Sequence, residues 1–173
     1  YNYILLYETL YAGSKYNTNS GGDYEYSIGL NGLGLASTQF ASEYMDVEIK
    51  RDGYKYTLHF EKGRNVGGLN KEVYSGKDTG TKTKWKPDLD VFTDIDVSSE
   101  YFIDTLKRQA VVNSGLLFIF REQQGNRFIE KEICYKNGIT DYIEEIVGEE
   151  ALSTIQTWNT ERKGRDRDDK PEY

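Results

Sequence analysis

Met45-Asp46-Val47-Glu48-Ile49-Lys50, then Arg51-Asp52-Gly53, then Tyr54-Lys55-Tyr56-Thr57-Leu58-His59-Phe60 is the stretch that decides the fold class. Apolar and polar residues alternate on both sides of an Asp-Gly pair. A period of two puts Met45, Val47 and Ile49 on one face of a strand and Asp46, Glu48 and Lys50 on the other. Asp-Gly is a strong signal for a tight hairpin turn between two antiparallel strands. The stretch therefore predicts a hairpin with one buried face and one solvated face.

Outward from this hairpin, Asn70 to Tyr74 and Gly80 to Lys86 are two further strand candidates, and Pro87 stops the second. Ser98-Ser99-Glu100 caps a helix running to about Asn113, with Ile103, Leu106, Ala110 and Val111 on its apolar face and Gly115 after it. Leu116 to Arg121 and Arg127 to Cys134 read as a second hairpin around Gln123 to Asn126. A helix from about Gly138 to Val147 follows, ended by Gly148, and residues 151–158 form one more strand candidate. Upstream, residues 2–12 place Tyr3, Leu6, Tyr7 and Leu10 at helical spacing, and Gly13 would end that helix. Residues 14–31 form a long polar loop, and residues 32–42 a short helix. Four or five helices with about seven hairpin-rich strands predict an α/β (α+β) layered sandwich. Its helices lie on a mixed, largely antiparallel sheet, not on a doubly wound parallel one.

The length of 173 residues fits one domain with room for the beginning of a second. Hydrophobic content is modest at 37%, and fifteen tyrosines add apolar area with a polar tip. A net charge of −7 argues against a chain devoted to binding DNA or an acidic membrane surface. The single cysteine, Cys134, excludes an internal disulfide framework and fits a reducing cytoplasm; it reads as a small buried hydrophobe. No apolar run reaches the roughly 18 residues that span a bilayer, and no signal peptide is visible. The first residue is Tyr and residues 2–12 already read as the interior of an organised protein. A fragment or processed piece is expected.

One segment carries chemistry. Ser27-Ile28-Gly29-Leu30-Asn31-Gly32-Leu33-Gly34 has the spacing G-x-x-G-x-G and opens the short helix, and Ala12-Gly13-Ser14-Lys15 lies upstream. Glycines let backbone approach an anion, and a helix N-terminus offers unpaired N–H groups with partial positive charge. The pair reads as a phosphate cradle with a lysine beside it. An ordinary glycine-rich turn is the competing reading of the same residues.

The order of pieces adds specificity. After Gly13-Ser14-Lys15-Tyr16 and the glycine run comes Thr79-Gly80-Thr81-Lys82-Thr83-Lys84-Trp85-Lys86-Pro87-Asp88. Then come Leu106-Lys107-Arg108-Gln109-Ala110-Val111-Val112-Asn113-Ser114-Gly115 and Glu161-Arg162-Lys163-Gly164-Arg165-Asp166-Arg167. Over nearly the whole chain this series resembles the ATPase region of bacterial type II topoisomerases, the B subunits of DNA gyrase and topoisomerase IV, within the GHKL class of ATPases.

The resemblance implies a layered α/β sandwich that closes a lid over ATP. Residues 1–148 would be a partial ATPase domain with its lid at about 14–34, and residues 149–173 the first strand and linker of the transducer domain. Gly13 and Lys15 would lie near the triphosphate, and Gly29, Leu30, Asn31, Gly32, Leu33 and Gly34 would hold the phosphates through backbone N–H groups. Thr81 matches a threonine beside the adenine on a central strand; it also reads as an ordinary β-branched strand residue. Arg51 matches a position near the pocket rim, against the more ordinary reading of a solvated hairpin arginine. Asn31 stands where the family usually has His, so an amide replaces a group able to carry positive charge. The family's glutamate base, its Mg²⁺-holding asparagine and its adenine-reading aspartate would precede Tyr1, and the transducer lysine would follow Tyr173. No catalytic residue and no metal ligand is therefore expected in this chain, and alone it is expected not to hydrolyse ATP. The implied partners are ATP, Mg²⁺, a second copy of the same protein, and, through the intact protein, DNA and the A-type subunit. Other GHKL ATPases of chaperone or mismatch-repair type, or an interaction module with a structural glycine loop, are the alternatives.

Other constellations carry less. His59 alone supports neither a histidine metal cluster nor a catalytic triad and reads as a strand-face residue. Asp88, Asp90, Asp94 and Asp96 lack the glycine and terminal glutamate of an EF-hand and read as a solvated acidic loop. Glu8 reads as a solvated position on the first helix. Arg162-Lys163-Gly164-Arg165 is offset by Asp166, Asp168 and Asp169 and reads as linker.

Overall fold

A computed structural model describes residues 3–12, 32–158 and 160 of the protein. At its centre is the expected hairpin, β1 (Ser42–Arg51) and β2 (Tyr54–Glu61), with Val47 opposite Leu58 and Met45 opposite Phe60. Asp52 and Gly53 both hold positive φ, at 55° and 75°, which is the twist a two-residue turn needs to match its flanking strands. Along the far edge of β2 run two short strands, β3 (Arg64–Asn65) and then β4 (Asn70–Val73). The edge of β1 opposite β2 pairs with β5 (Gly80–Pro87), which the proline closes. Every pairing among the described residues is antiparallel.

The register sorts side chains as the alternation demands. Met45, Val47, Leu58 and Phe60 are buried together with Tyr7, and Tyr3, Ile49 and Leu69 pack against them. The opposite face carries Asp46, His59 and Lys84 in one row and Glu48, Thr57 and Lys82 in the next. Helix α1 (Gly34–Phe40) precedes β1 and buries Ala36 and Gln39.

The first segment departs from expectation. Residues 4–8 form one π-helical turn (Ile4–Glu8), not a helix to Ala12. Thr9 donates its hydroxyl to the Ile4 carbonyl at 3.0 Å, and its own backbone is extended, so the turn stops there. Only Tyr7 is buried, with Tyr3 packed beside it; Leu6 and Leu10 are about half exposed. Glu8 is not a free solvated acid either, because it accepts from Asn65 Nδ2 at 3.0 Å.

The chain divides into two compact units between Ile95 and Asp96. In the second, Ser98 accepts from the Glu100 N–H and starts α2 (Ser99–Val112). A hairpin of β6 (Phe118–Gln124) and β7 (Arg127–Ile133) turns at Gly125-Asn126, and α3 (Ile139–Val147) ends at Gly148. Ala110, Ile133 and Tyr135 form its core, with Ile103, Leu106, Val111, Phe118 and Tyr142 around them. Alternation past β7 turns Ile133 and Tyr135 inward, so Cys134 points outward and is exposed, not buried as its residue type suggested. Residues 151–158 contain no strand: apolar content alone does not make one, and they pair with no edge among the described residues.

Candidate nucleotide site

Thr81 is the predicted site residue whose place is best defined. It pairs with Ile49, Ile49 with Tyr56, and Tyr56 with Lys71, so four side chains from four strands form one row on one face. This is the face that buries Tyr7. Two residues along β5, Thr83 shares a hydrogen bond with the Tyr7 hydroxyl, whose pKa is nevertheless pushed up by burial. Thr81 itself is exposed, which leaves its hydroxyl available to a ligand on that face. Arg51 lies on the same face at the end of β1, exposed, with its Nε 3.1 Å from Asp52 Oδ2.

A second candidate element is the start of α1. Gly32 holds φ of 59°, which turns the chain into Leu33 and Gly34. The first hydrogen bond inside the helix runs from Ser37 N–H to Leu33 C=O at 2.9 Å. The N–H groups of Gly34, Leu35 and Ala36 therefore have no acceptor within the helix. A Cβ added at Gly34 would meet nothing within 4 Å, so the backbone there is open to approach. These amides fit a phosphate oxygen by charge and by access. Helix α1 packs on the Tyr7 turn and on β1, which ties both parts of the site to the same unit. Gly13, Lys15, Gly29, Leu30 and Asn31 lie outside the described residues, as does the rest of the 14–31 loop.

The remaining candidates fall elsewhere. His59 sits on the opposite face, Nδ1 2.6 Å from Asp46 Oδ1 and Nε2 3.2 Å from Glu61 Oε1, and these two carboxylates raise its pKa. A cleft of about 450 Å³ opens on that face, lined by Asp46, Glu48, His59, Val66, Lys82 and Lys84. Its acids and bases stand opposite one another across the strands, and Thr81 is not among its walls. Asp88 differs from the expected solvated acid: it is 7% exposed and accepts from the Asp90 N–H at 2.9 Å, closing the turn after β5. Lys62 bridges Asp88 and Asp90. Among the described residues no group of three or more His, Cys, Asp or Glu is placed to hold a metal ion. No helix there is long and apolar enough to cross a membrane.

The Tyr7 turn thus packs on the Thr81 face of the sheet, and α1 leads into β1 beside it. The 43K ATPase domain of Thermus thermophilus gyrase B, solved in complex with an aminocoumarin, superposes with a TM-score of 0.60 over 66% of this chain and 31% of that one, at 23% identity. Sequence similarity points the same way: the chain is 31% identical over 135 residues to the DNA gyrase B protein of Synechocystis, covering 78% of this chain and 12% of that protein. It is 33% identical over 144 residues to the DNA topoisomerase 4 B protein of Escherichia coli, covering 83% of this chain and 22% of that protein. By sequence and by fold the chain is thus a relative of the B subunits of bacterial type II topoisomerases. It spans under a quarter of the length of these two relatives. No family model matches the chain.

Proposed function

We propose that the chain is the ATP-binding part of a gyrase B-type subunit of an ATP-dependent type II DNA topoisomerase. The observation that carries this reading is Thr81, in a Thr-Gly-Thr strand start, on the sheet face that also bears the Tyr7 turn. In this reading residues 1–148 belong to the ATPase domain, with the lid at about 14–34, and residues 149–173 lead into the transducer.

Nucleotide is held from two ends. The amides of Gly32, Leu33 and Gly34, with Gly29, Leu30, Asn31, Gly13 and Lys15, take the phosphates. The Thr81 hydroxyl lies by the adenine, where it fixes the base through a hydrogen bond. Arg51 supplies a cation at the rim. Mg²⁺, when bound, neutralises phosphate charge; the cradle amides do the same through fixed dipoles that need no reorganisation. Asn31 contributes an amide donor, never a charge. We assign this chain the holding of nucleotide. In the intact protein, closure of the lid on ATP brings two copies together around a DNA segment, with the A-type subunit carrying the break, in the cytoplasm.

Titration of the full-length protein with a non-hydrolysable ATP analogue tests the reading. Saturable binding, with protection of residues 32–41 from hydrogen exchange, is expected. Absence of both would overturn it. ATP-dependent supercoiling or decatenation by the full-length protein with its A-type partner is expected as well, and ATP-independent or absent strand passage would remove the topoisomerase assignment.

A further inference from the structure

The segment that delivers Thr81 to the sheet is tied down by three side chains that no sequence motif singles out. Residues 74–79 run from β4 to β5, and the Tyr74 N–H donates to the Gly53 carbonyl at 2.8 Å. Within this segment Asp78 accepts twice: from Lys50 Nζ at 2.8 Å and from the Tyr74 hydroxyl at 2.5 Å. Lys50 Nζ also stands 4.8 Å from the centre of the Tyr74 ring, within cation–π range. Lys50 is the cross-strand partner of Gly80, the residue before Thr81. One lysine thus holds the last turn before β5 while its backbone pairs with the first residue of that strand.

Strand ends fray, and β5 begins in exposed residues paired only with β1 among the described strands. The Lys50 side chain leaves the sheet on the face opposite Thr81, so it restrains the strand without occupying the ligand face. The lysine–aspartate contact keeps the Asp78 carboxyl down at about 2 and raises the Lys50 ammonium, so both stay charged across the working range of pH.

We propose that Lys50, Asp78 and Tyr74 are positioning residues, a clamp that fixes residues 79–81 at the start of β5 and so sets how tightly and how selectively Thr81 reads the nucleotide base. The proposal rests on Thr81 being a nucleotide contact. Exposed ion pairs add little to global stability, so the clamp acts on the placement of one strand start and not on the folding equilibrium.

The test compares binding of non-hydrolysable ATP and GTP analogues to the full-length protein and its Asp78→Asn, Lys50→Met and Thr81→Ala variants. Asp78→Asn and Lys50→Met are each expected to weaken the ATP analogue about five-fold, the GTP analogue less, and to shift Tm by no more than about 2 °C. Thr81→Ala should show a similar loss, and adding Asp78→Asn to it should cost almost nothing further. Unchanged affinities in Asp78→Asn and Lys50→Met, alongside a weakened Thr81→Ala, would overturn the clamp and leave the site reading intact. Equal losses for both analogues with a large fall in Tm would make the three residues merely structural and also overturn it. If Thr81→Ala binds both analogues like the parent protein, the site reading fails first and the clamp with it.

Discussion

Tyr7 stacks on Phe60, ring centroids 5.7 Å apart and planes inclined by 28°. This contact fastens the π-helical turn to β2 and places both rings in the core with Met45, Val47 and Leu58. Phe60 is 1% exposed, so removing its ring leaves a void that the surrounding strands cannot close. Phe60→Ala should cost about 3–5 kcal/mol, read from the midpoint of equilibrium unfolding in urea. A cost below about 1 kcal/mol would show that the stack is not part of the core.

The opposite sheet face supplies a prediction about pH. His59 is held by Asp46 first and Glu61 second, with Lys84 next along the same row. Its folded pKa is raised, so its contribution to stability is fully present below the unfolded pKa of about 6.5 and is lost as pH rises through the folded value. The ring is 39% exposed and solvent screens the pair, so the effect on stability is small. NMR titration of the His59 ring should give a pKa above about 6.5, and Asp46→Asn should lower it. A ring titrating at or below that value in the parent protein would contradict the geometry.

Much of this fold is legible in the sequence. The hairpin of β1 and β2 follows from strict alternation around Asp52-Gly53, and α2 from its Ser98 cap, because both signals are local. What is not legible depends on partners far along the chain. Leu6 and Leu10 have the right spacing for a helix face, yet a single turn exposes them and buries Tyr7 alone. Residues 151–158 have strand composition yet pair with no strand among the described residues. Cys134 is decided by its place between two inward residues, not by its own chemistry. The site divides the same way. Thr81 can be placed on a strand from sequence, but its row with Ile49, Tyr56 and Lys71 requires the register. Lys50 and Asp78 are 28 residues apart, and no periodicity links them.

Gln39 is a buried side chain on α1, 1% exposed, and neither its amide nitrogen nor its oxygen has a hydrogen-bond partner among the described residues. An unpaired buried amide loses its water without recovering a partner, at about 1–3 kcal/mol. Methionine has a similar length and no such requirement, and it adapts to irregular surroundings. Gln39→Met should therefore raise the unfolding midpoint. A destabilisation of about 1 kcal/mol or more would reveal a partner that the amide needs.

Thr81 gives the sharpest prediction for the site. It is exposed at the start of β5, so its loss should leave stability within about 0.5 kcal/mol of the parent protein. A hydroxyl that hydrogen-bonds the base contributes to binding and not to folding. Thr81→Ala in the full-length protein should weaken a non-hydrolysable ATP analogue by about five- to ten-fold, and Thr81→Ser, which keeps the hydroxyl, should recover most of that affinity. Thr83→Val, one pair further along the same face, removes the Tyr7 hydrogen bond instead and should lower the unfolding midpoint with little effect on nucleotide. Isothermal titration and thermal unfolding on the three variants separate the two roles. If Thr83→Val costs more affinity than Thr81→Ala, the base lies over the middle of β5 and the site is displaced by one pair along the strand.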